Sequence, residues 1–189
     1  MMLGMNRLTT EWQVGDGREE ALAQHVLATA APGDLDSAIA AADEFAYGHK
    51  FLMNVGDEKG ALLDAAIQRA QPKQLLELGT YCGYSALRTA RVMPDDAHLY
   101  SIEFVEPNAD IARRILSHAG VDSRVTVIVG SLGDGGKTIE SLEREHGFTG
   151  GSLDFVFIDH AKEEYLPDLE RILAREWLRP GVGCASGCL

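Results

Sequence analysis

Basic residues are scarce in this chain: 17 lysines and arginines stand against 29 aspartates and glutamates, a formal net charge of −12 over 189 residues. Binding nucleic acid takes a cationic face that displaces phosphate counterions, so a nucleic-acid partner is excluded, as is a cationic membrane-surface protein. Cysteine is scarce too. Its three copies, Cys82, Cys184 and Cys188, are too few and too scattered for a disulfide framework, which suits a reducing compartment. No apolar run reaches the roughly 18 residues of a membrane span. The opening Met1 to Trp12 carries Asn6, Arg7 and Glu11 where a signal peptide has its apolar segment. The expectation is a cytoplasmic protein with no membrane partner and an open oligomeric state.

Several motifs are also missing. There is no internal repeat, and the glycine-rich spots are loop-sized. His25, His49, His98, His118 and His146 show no metal-ligand spacing. A G-x-G-x-x-G turn is absent, which removes the nicotinamide-dependent oxidoreductase reading, and without G-x-S-x-G the α/β-hydrolase reading goes as well.

What is present is enough apolar sequence, 46% of the chain, for one domain with a full core, residues 1–189. Residues 1–70 read as a helical segment. Glu19 to Ala31 carries Leu22, Val26 and Ala30 at helical spacing, Pro32-Gly33-Asp34 breaks it, and further helices are predicted over Ser37 to Lys50 and Lys59 to Ala70. Residues 71–189 change to short apolar runs separated by amphipathic segments, the pattern of βαβ units. Strands are predicted at Gln74 to Leu78, His98 to Ile102, Val125 to Val129 and Leu153 to Ile158. The helices between and after them are Gly83 to Arg91, Asn108 to Ala119, Lys137 to Glu145 and Glu163 to Ala174. The fold class is a doubly wound α/β domain behind a helical N-terminal segment.

Such sheets take ligands at the carboxyl ends of their strands. After the first strand, Glu77-Leu78-Gly79-Thr80-Tyr81-Cys82-Gly83 is either a glycine turn for geometry alone or a place for close backbone approach to a ligand. Its acid, two residues before Gly79, suits a ligand bearing an amine. Glu103 ends the second strand at about the 20-residue spacing at which nucleotide binders hold ribose hydroxyls. Together they point to an adenosine-bearing ligand. The fourth strand runs into Asp159-His160-Ala161-Lys162. Asp159 reads as a helix cap or as an oxygen ligand for a hard divalent cation, and Lys162 as a solvated chain or a general base. His160 is a ligand contact or a satisfied loop residue, and Cys82 a small packed residue.

Three blocks make a specific resemblance: Met53-Asn54-Val55-Gly56-Asp57-Glu58-Lys59-Gly60, Leu76 to Ser85 reading LELGTYCGYS, and Phe157-Ile158-Asp159-His160 with Lys162 and Tyr165-Leu166-Pro167-Asp168. From about Pro32 to Pro180 the chain resembles the catechol O-methyltransferase family. The resemblance implies a Rossmann-like methyltransferase that moves the methyl group of S-adenosylmethionine to a hydroxyl of a catechol, a small-molecule substrate held by Mg²⁺ through its two oxygens. It implies that Val55, Gly79, Tyr81 and Ser85 hold the amino-acid part of the cofactor, that Glu77 lies near it and that Glu103 takes the ribose hydroxyls. Gly130 and Ser131 fall in the adenine-contacting loop and His160 beside the adenine. Asp159 would be both metal ligand and neighbour of the cofactor amine, Lys162 the catalytic base, and Phe51 and Met53 the border of the substrate. Ala161 stands where the mammalian pattern has an adenine-covering Trp.

The ending departs from the family. The resemblance calls for another apolar strand closing on an Asp-Asn pair of metal ligands, whereas here Val182 is followed by Gly183-Cys184-Ala185-Ser186-Gly187-Cys188-Leu189, with no Asp or Asn after Asp168. The expectation is a truncated or frameshifted member with its final strands missing, a poor strand around Val182, an exposed sheet edge and a weak metal site. The alternative function is then a non-catalytic S-adenosylmethionine binder or inactive remnant.

Overall fold

The computed structural model describes residues 15–48 and 52–186, with side chains to Gly181. Three helices lead: α1 (Arg18–Thr29), α2 (Leu35–Gly48) and α3 (Gly56–Ala70). Then strands and helices alternate as β1 (Gln74–Leu78), α4 (Tyr84–Val92), β2 (His98–Glu103), α5 (Glu106–His118), β3 (Val125–Val129), α6 (Lys137–His146) and β4 (Leu153–Ile158). A 3₁₀ turn (Lys162–Glu164), α7 (Tyr165–Ala174) and β5 (Leu178–Ser186) complete the order. The predicted elements are all found, with ends moved. Helix α3 starts three residues before the expected Lys59, because Asp57 and Glu58 in its first turn complement the helix dipole. Helix α5 starts earlier than Asn108 because Pro107 fits the first turn.

The sheet is wholly parallel in the order β3-β2-β1-β4-β5. Alternation sends Leu75, Phe155 and Phe157 into the core shared with α1 to α5, and Leu76, Leu78, Val156 and Ile158 into a second core with α6, α7 and Trp177. Helices therefore cover both faces, which is why the strands read as continuous apolar runs. Among the described residues no helix is long and apolar enough to cross a membrane.

One expectation is overturned. Residues 178–186 form a full strand, β5, pairing Phe155 with Gly183, Val156 with Cys184, Phe157 with Ala185 and Ile158 with Ser186. Ladder hydrogen bonds come from the backbone, and the buried strand β4 presents a complete row of donors and acceptors that small residues satisfy as well as large ones. A register shift between the Leu153 and Phe155 pairs, with Gly181 at φ +86°, lets the glycine-rich segment settle into line. The start of β5 is anchored by charge. Buried Asp154 accepts the backbone N–H groups of Lys73 (2.9 Å) and Gln74 (3.1 Å) at β1 and the Arg179 guanidinium (2.6 Å) at β5.

Trp177, just before β5, is 1% exposed and stacks edge-on against Phe148 at 5.1 Å. Trp177→Ala should therefore cost about 3–5 kcal/mol. Urea denaturation checks this, and a loss under about 1 kcal/mol would show that the second core does not depend on the indole.

Candidate functional site

Strand order reverses between β1 and β4, and the two chains leaving those strands nearly touch. Gly79 has φ +103°, and a Cβ there would overlap the Asp159 carbonyl oxygen, so only glycine fits. The Gly79 N–H reaches the Ile102 carbonyl (2.9 Å) and the Asp159 N–H the Leu78 carbonyl (2.9 Å), which ties the ends of β1, β2 and β4 together. Tyr81 (φ +49°) and Gly83 (φ +87°) continue the left-handed turn into α4. Left-handed Tyr81 is strained, and its N–H is held at 2.7 Å by the Glu103 carboxylate.

Three acids meet at this edge, each handled differently. Glu103 is buried and accepts the Tyr81 and Val105 (2.8 Å) N–H groups, one on each oxygen. Burial pushes its pKa up, and backbone amides, Val105 first, pull it back. Glu77 is 1% exposed. Ser101 donates to its Oε2, Thr80 Oγ1 lies 2.6 Å from the Ser101 hydroxyl, and Oε1 has no partner of hydrogen-bonding geometry. Burial pushes Glu77 up to about 7, against the pull of the Ser101 and Ser85 hydroxyls. Half-buried Asp159 is also raised by burial, while the Tyr165 hydroxyl, 3.3 Å away, and the charges of Lys59, His160 and Lys162 draw it down.

His160 lies flat against Tyr165, with ring centroids 5.3 Å apart and an interplanar angle of 7°. Its Nε2 is 2.8 Å from buried Asp168, which Arg171 also holds. Lys162 is exposed on the 3₁₀ turn, and Met53 is exposed before α3. Val55 is the N-cap of α3, one turn before Lys59, and Ser131 stands in the turn after β3, beside Gly130, whose N–H bonds the Glu103 carbonyl (2.9 Å). The edge thus gathers Glu77, Gly79, Tyr81, Ser85, Glu103, Asp159, His160 and Lys162, with Ser131 at its margin, while Val55 packs into the first core. Phe51 lies outside the described residues. Among the described residues no group of three His, Cys, Asp or Glu side chains converges on a metal position.

Sequence reasoning assigned no role to Glu19, Lys59, Ser101, Tyr165 or Asp168. Glu19 left one signal: it sits three residues before Leu22 on the apolar stripe of α1, where a charge is out of place. The others sit where only contact across strands or turns gives them a part.

Glu77 predicts a pH signature. A carboxyl raised in the fold gives stability that is present in full below its ordinary pKa and is lost as pH rises through its folded value, here about 7. In the ligand-free protein the melting-temperature advantage of Glu77→Gln over the parent should be larger at pH 8 than at pH 5. An equal advantage at both, by scanning calorimetry, would mean Glu77 is ionised across that range.

Comparison with known proteins fits this geometry. A family model described as O-methyltransferase matches residues 35–181. A probable O-methyltransferase of Mycobacterium tuberculosis is 57% identical over 181 residues, 96% of this chain and 77% of that protein. Catechol O-methyltransferase of Bos taurus is 40% identical over 169 residues, 89% of this chain but 60% of the bovine protein, so the chain spans about three-fifths of that relative's length. Among solved structures, the Bacillus cereus O-methyltransferase in complex with SAH superposes with a TM-score of 0.61 at 25% identity, covering 96% of this chain and 70% of that one. The fold is the Rossmann-like methyltransferase fold, and the chain belongs to the O-methyltransferase family.

Proposed function

We propose that this chain binds S-adenosylmethionine at the carboxyl edge of β1, β2 and β4 and transfers its methyl group to a hydroxyl of a catechol. The observation that carries the reading is the Gly79 cradle, bare of side chain where β1 and β4 meet, with Glu103 on one side and Asp159 on the other. The donor set fits the cofactor. The Glu103 oxygens each hold one backbone N–H and keep acceptor capacity for two ribose hydroxyls. The half-buried carboxylate of Asp159 suits a cationic amine, with Glu77 buried beneath the turn. The bound SAH named for the Bacillus cereus relative supports the cofactor, and the bovine relative supports a catechol acceptor.

The bound cofactor supplies a methyl group already activated on a sulfonium. The protein's residues do the rest by position. Val55, Gly79, Tyr81 and Ser85 orient the amino-acid part, Ser131 and His160 border the adenine, and Met53 borders the acceptor. Lys162, on the 3₁₀ turn, would take the hydroxyl proton at Nζ in its neutral amine form. When bound, the cofactor would supply its methyl group to the deprotonated hydroxyl oxygen and leave as the neutral thioether.

Magnesium takes six oxygens in near-octahedral geometry, and Asp159 offers one carboxylate. Among the described residues no further His, Cys, Asp or Glu completes such a set, so by themselves they do not fit the ion. That mismatch favours a second reading, a cofactor binder without turnover.

Titration calorimetry with S-adenosylmethionine, paired with mass spectrometry of a catechol with and without Mg²⁺, separates the two. Binding with methyl transfer supports the enzyme, binding without transfer the second reading, and no binding overturns both. Within an active protein, Lys162→Ala should lower methyl transfer about 100-fold or more and leave cofactor affinity unchanged. Glu103→Ala removes hydrogen bonds to a charged group worth about 1.5–3 kcal/mol, and should weaken cofactor binding about 10- to 150-fold in the same titration. Normal turnover in the first variant, or normal affinity in the second, would remove the assigned role.

A further inference from the structure

Glu19 is a carboxylate in the first turn of α1, yet it is only 3% exposed. A buried acid needs partners. The helix N-terminus favours its charge, and the Tyr81 hydroxyl, 62 residues away in sequence, donates to Oε1 at 2.8 Å. Tyr81 is thereby gripped at both ends, its hydroxyl by Glu19 of the helical segment and its N–H by Glu103 of the sheet. Its ring also lines a small cavity with Leu22 of α1, Leu52 and Asn54 of the segment before α3, and Tyr84 of α4. Burial, and with it the charge of Glu19, keeps the phenol above its ordinary range, so the hydroxyl remains a donor.

Tyr81 is the non-glycine member of the left-handed turn at Gly79, Tyr81 and Gly83. A residue in that region of backbone space costs of order 1–3 kcal/mol and persists only where its surroundings over-determine it. The neighbouring Glu20 has a different job, pairing in the open with Arg114 of α5 at 2.6 Å.

We propose that Glu19 is a positioning residue that acts through the Tyr81 hydroxyl, holding the Gly79–Gly83 turn in the shape that accepts the cofactor. Helix α1 is then part of the binding apparatus and not a packing helix alone. This rests on the cofactor binding proposed above. It adds a residue and an element to which the family resemblance assigned no role.

The test is calorimetric titration of the full chain with S-adenosylhomocysteine, alongside melting temperatures, for Glu19→Ala, Glu19→Gln, Tyr81→Phe, Glu20→Ala and the Glu19→Ala/Tyr81→Phe double variant. Glu19→Ala and Tyr81→Phe should each weaken binding about tenfold, and the double variant no further, because both delete one bond. Glu19→Gln keeps a carbonyl acceptor and should recover most of the loss. Glu20→Ala loosens α1 without touching Tyr81 and should stay within about twofold of the parent. Multiplying losses in the double variant, a Glu20→Ala loss equal to that of Glu19→Ala, or a lowered melting temperature with unchanged affinity would overturn the proposal. A parent chain that fails to bind at all would instead overturn the cofactor reading itself.

Discussion

Everything at this site depends on one close approach, the passage of the β1 turn at Gly79 against the Asp159 carbonyl. Two parallel strands that diverge to opposite faces leave a crevice at their carboxyl ends. Here the crevice floor is bare backbone, because no side chain fits. The Gly79 and Asp159 amides each bond to the neighbouring strand, so Glu77 near the end of β1, Glu103 at the end of β2 and Asp159 just after β4 are held at one edge.

Gathering Glu77, Glu103 and Asp159 on one edge is electrostatically costly, and the structure offsets that cost locally. Glu103 keeps company with backbone amides, Asp159 with Tyr165 and nearby cations, and Glu77 with hydroxyls alone, which is why burial raises it furthest. The positive charge at this edge stands on the Asp159 side, and Glu77 and Glu103 are held by hydroxyls and backbone amides. The same constraint extends outward: Tyr81 binds Glu103 from above and Glu19 from the far side, and His160 rests on Tyr165 and Asp168.

Much of this was legible in the residues. The strands from Gln74, His98, Val125 and Leu153 declared themselves because a parallel sheet covered on both faces needs unbroken apolar runs. Glu77, Gly79, Glu103, Asp159 and Lys162 stood out because each lies within a few residues of the end of such a run. The strand at Leu178–Ser186 was misread because side-chain propensity is weak where the partner strand supplies the ladder and Asp154 holds Arg179 in place. Glu19, Lys59 and Asp168 carried little local signal, since their partners lie on other elements.

The sequence by itself determined the alternation of elements, the positions of the glycine turn and of the acids at strand ends, and the kinship with O-methyltransferases. These depend on local spacing and on the order of residues along the chain. Only the tertiary structure decided which acids are buried, which keep an unpartnered oxygen, that α1 reaches the turn through Glu19, and that no second cluster joins Asp159 among the described residues. Burial and hydrogen-bond geometry are set by strand order and by contacts between residues dozens of positions apart, and no local pattern carries that information.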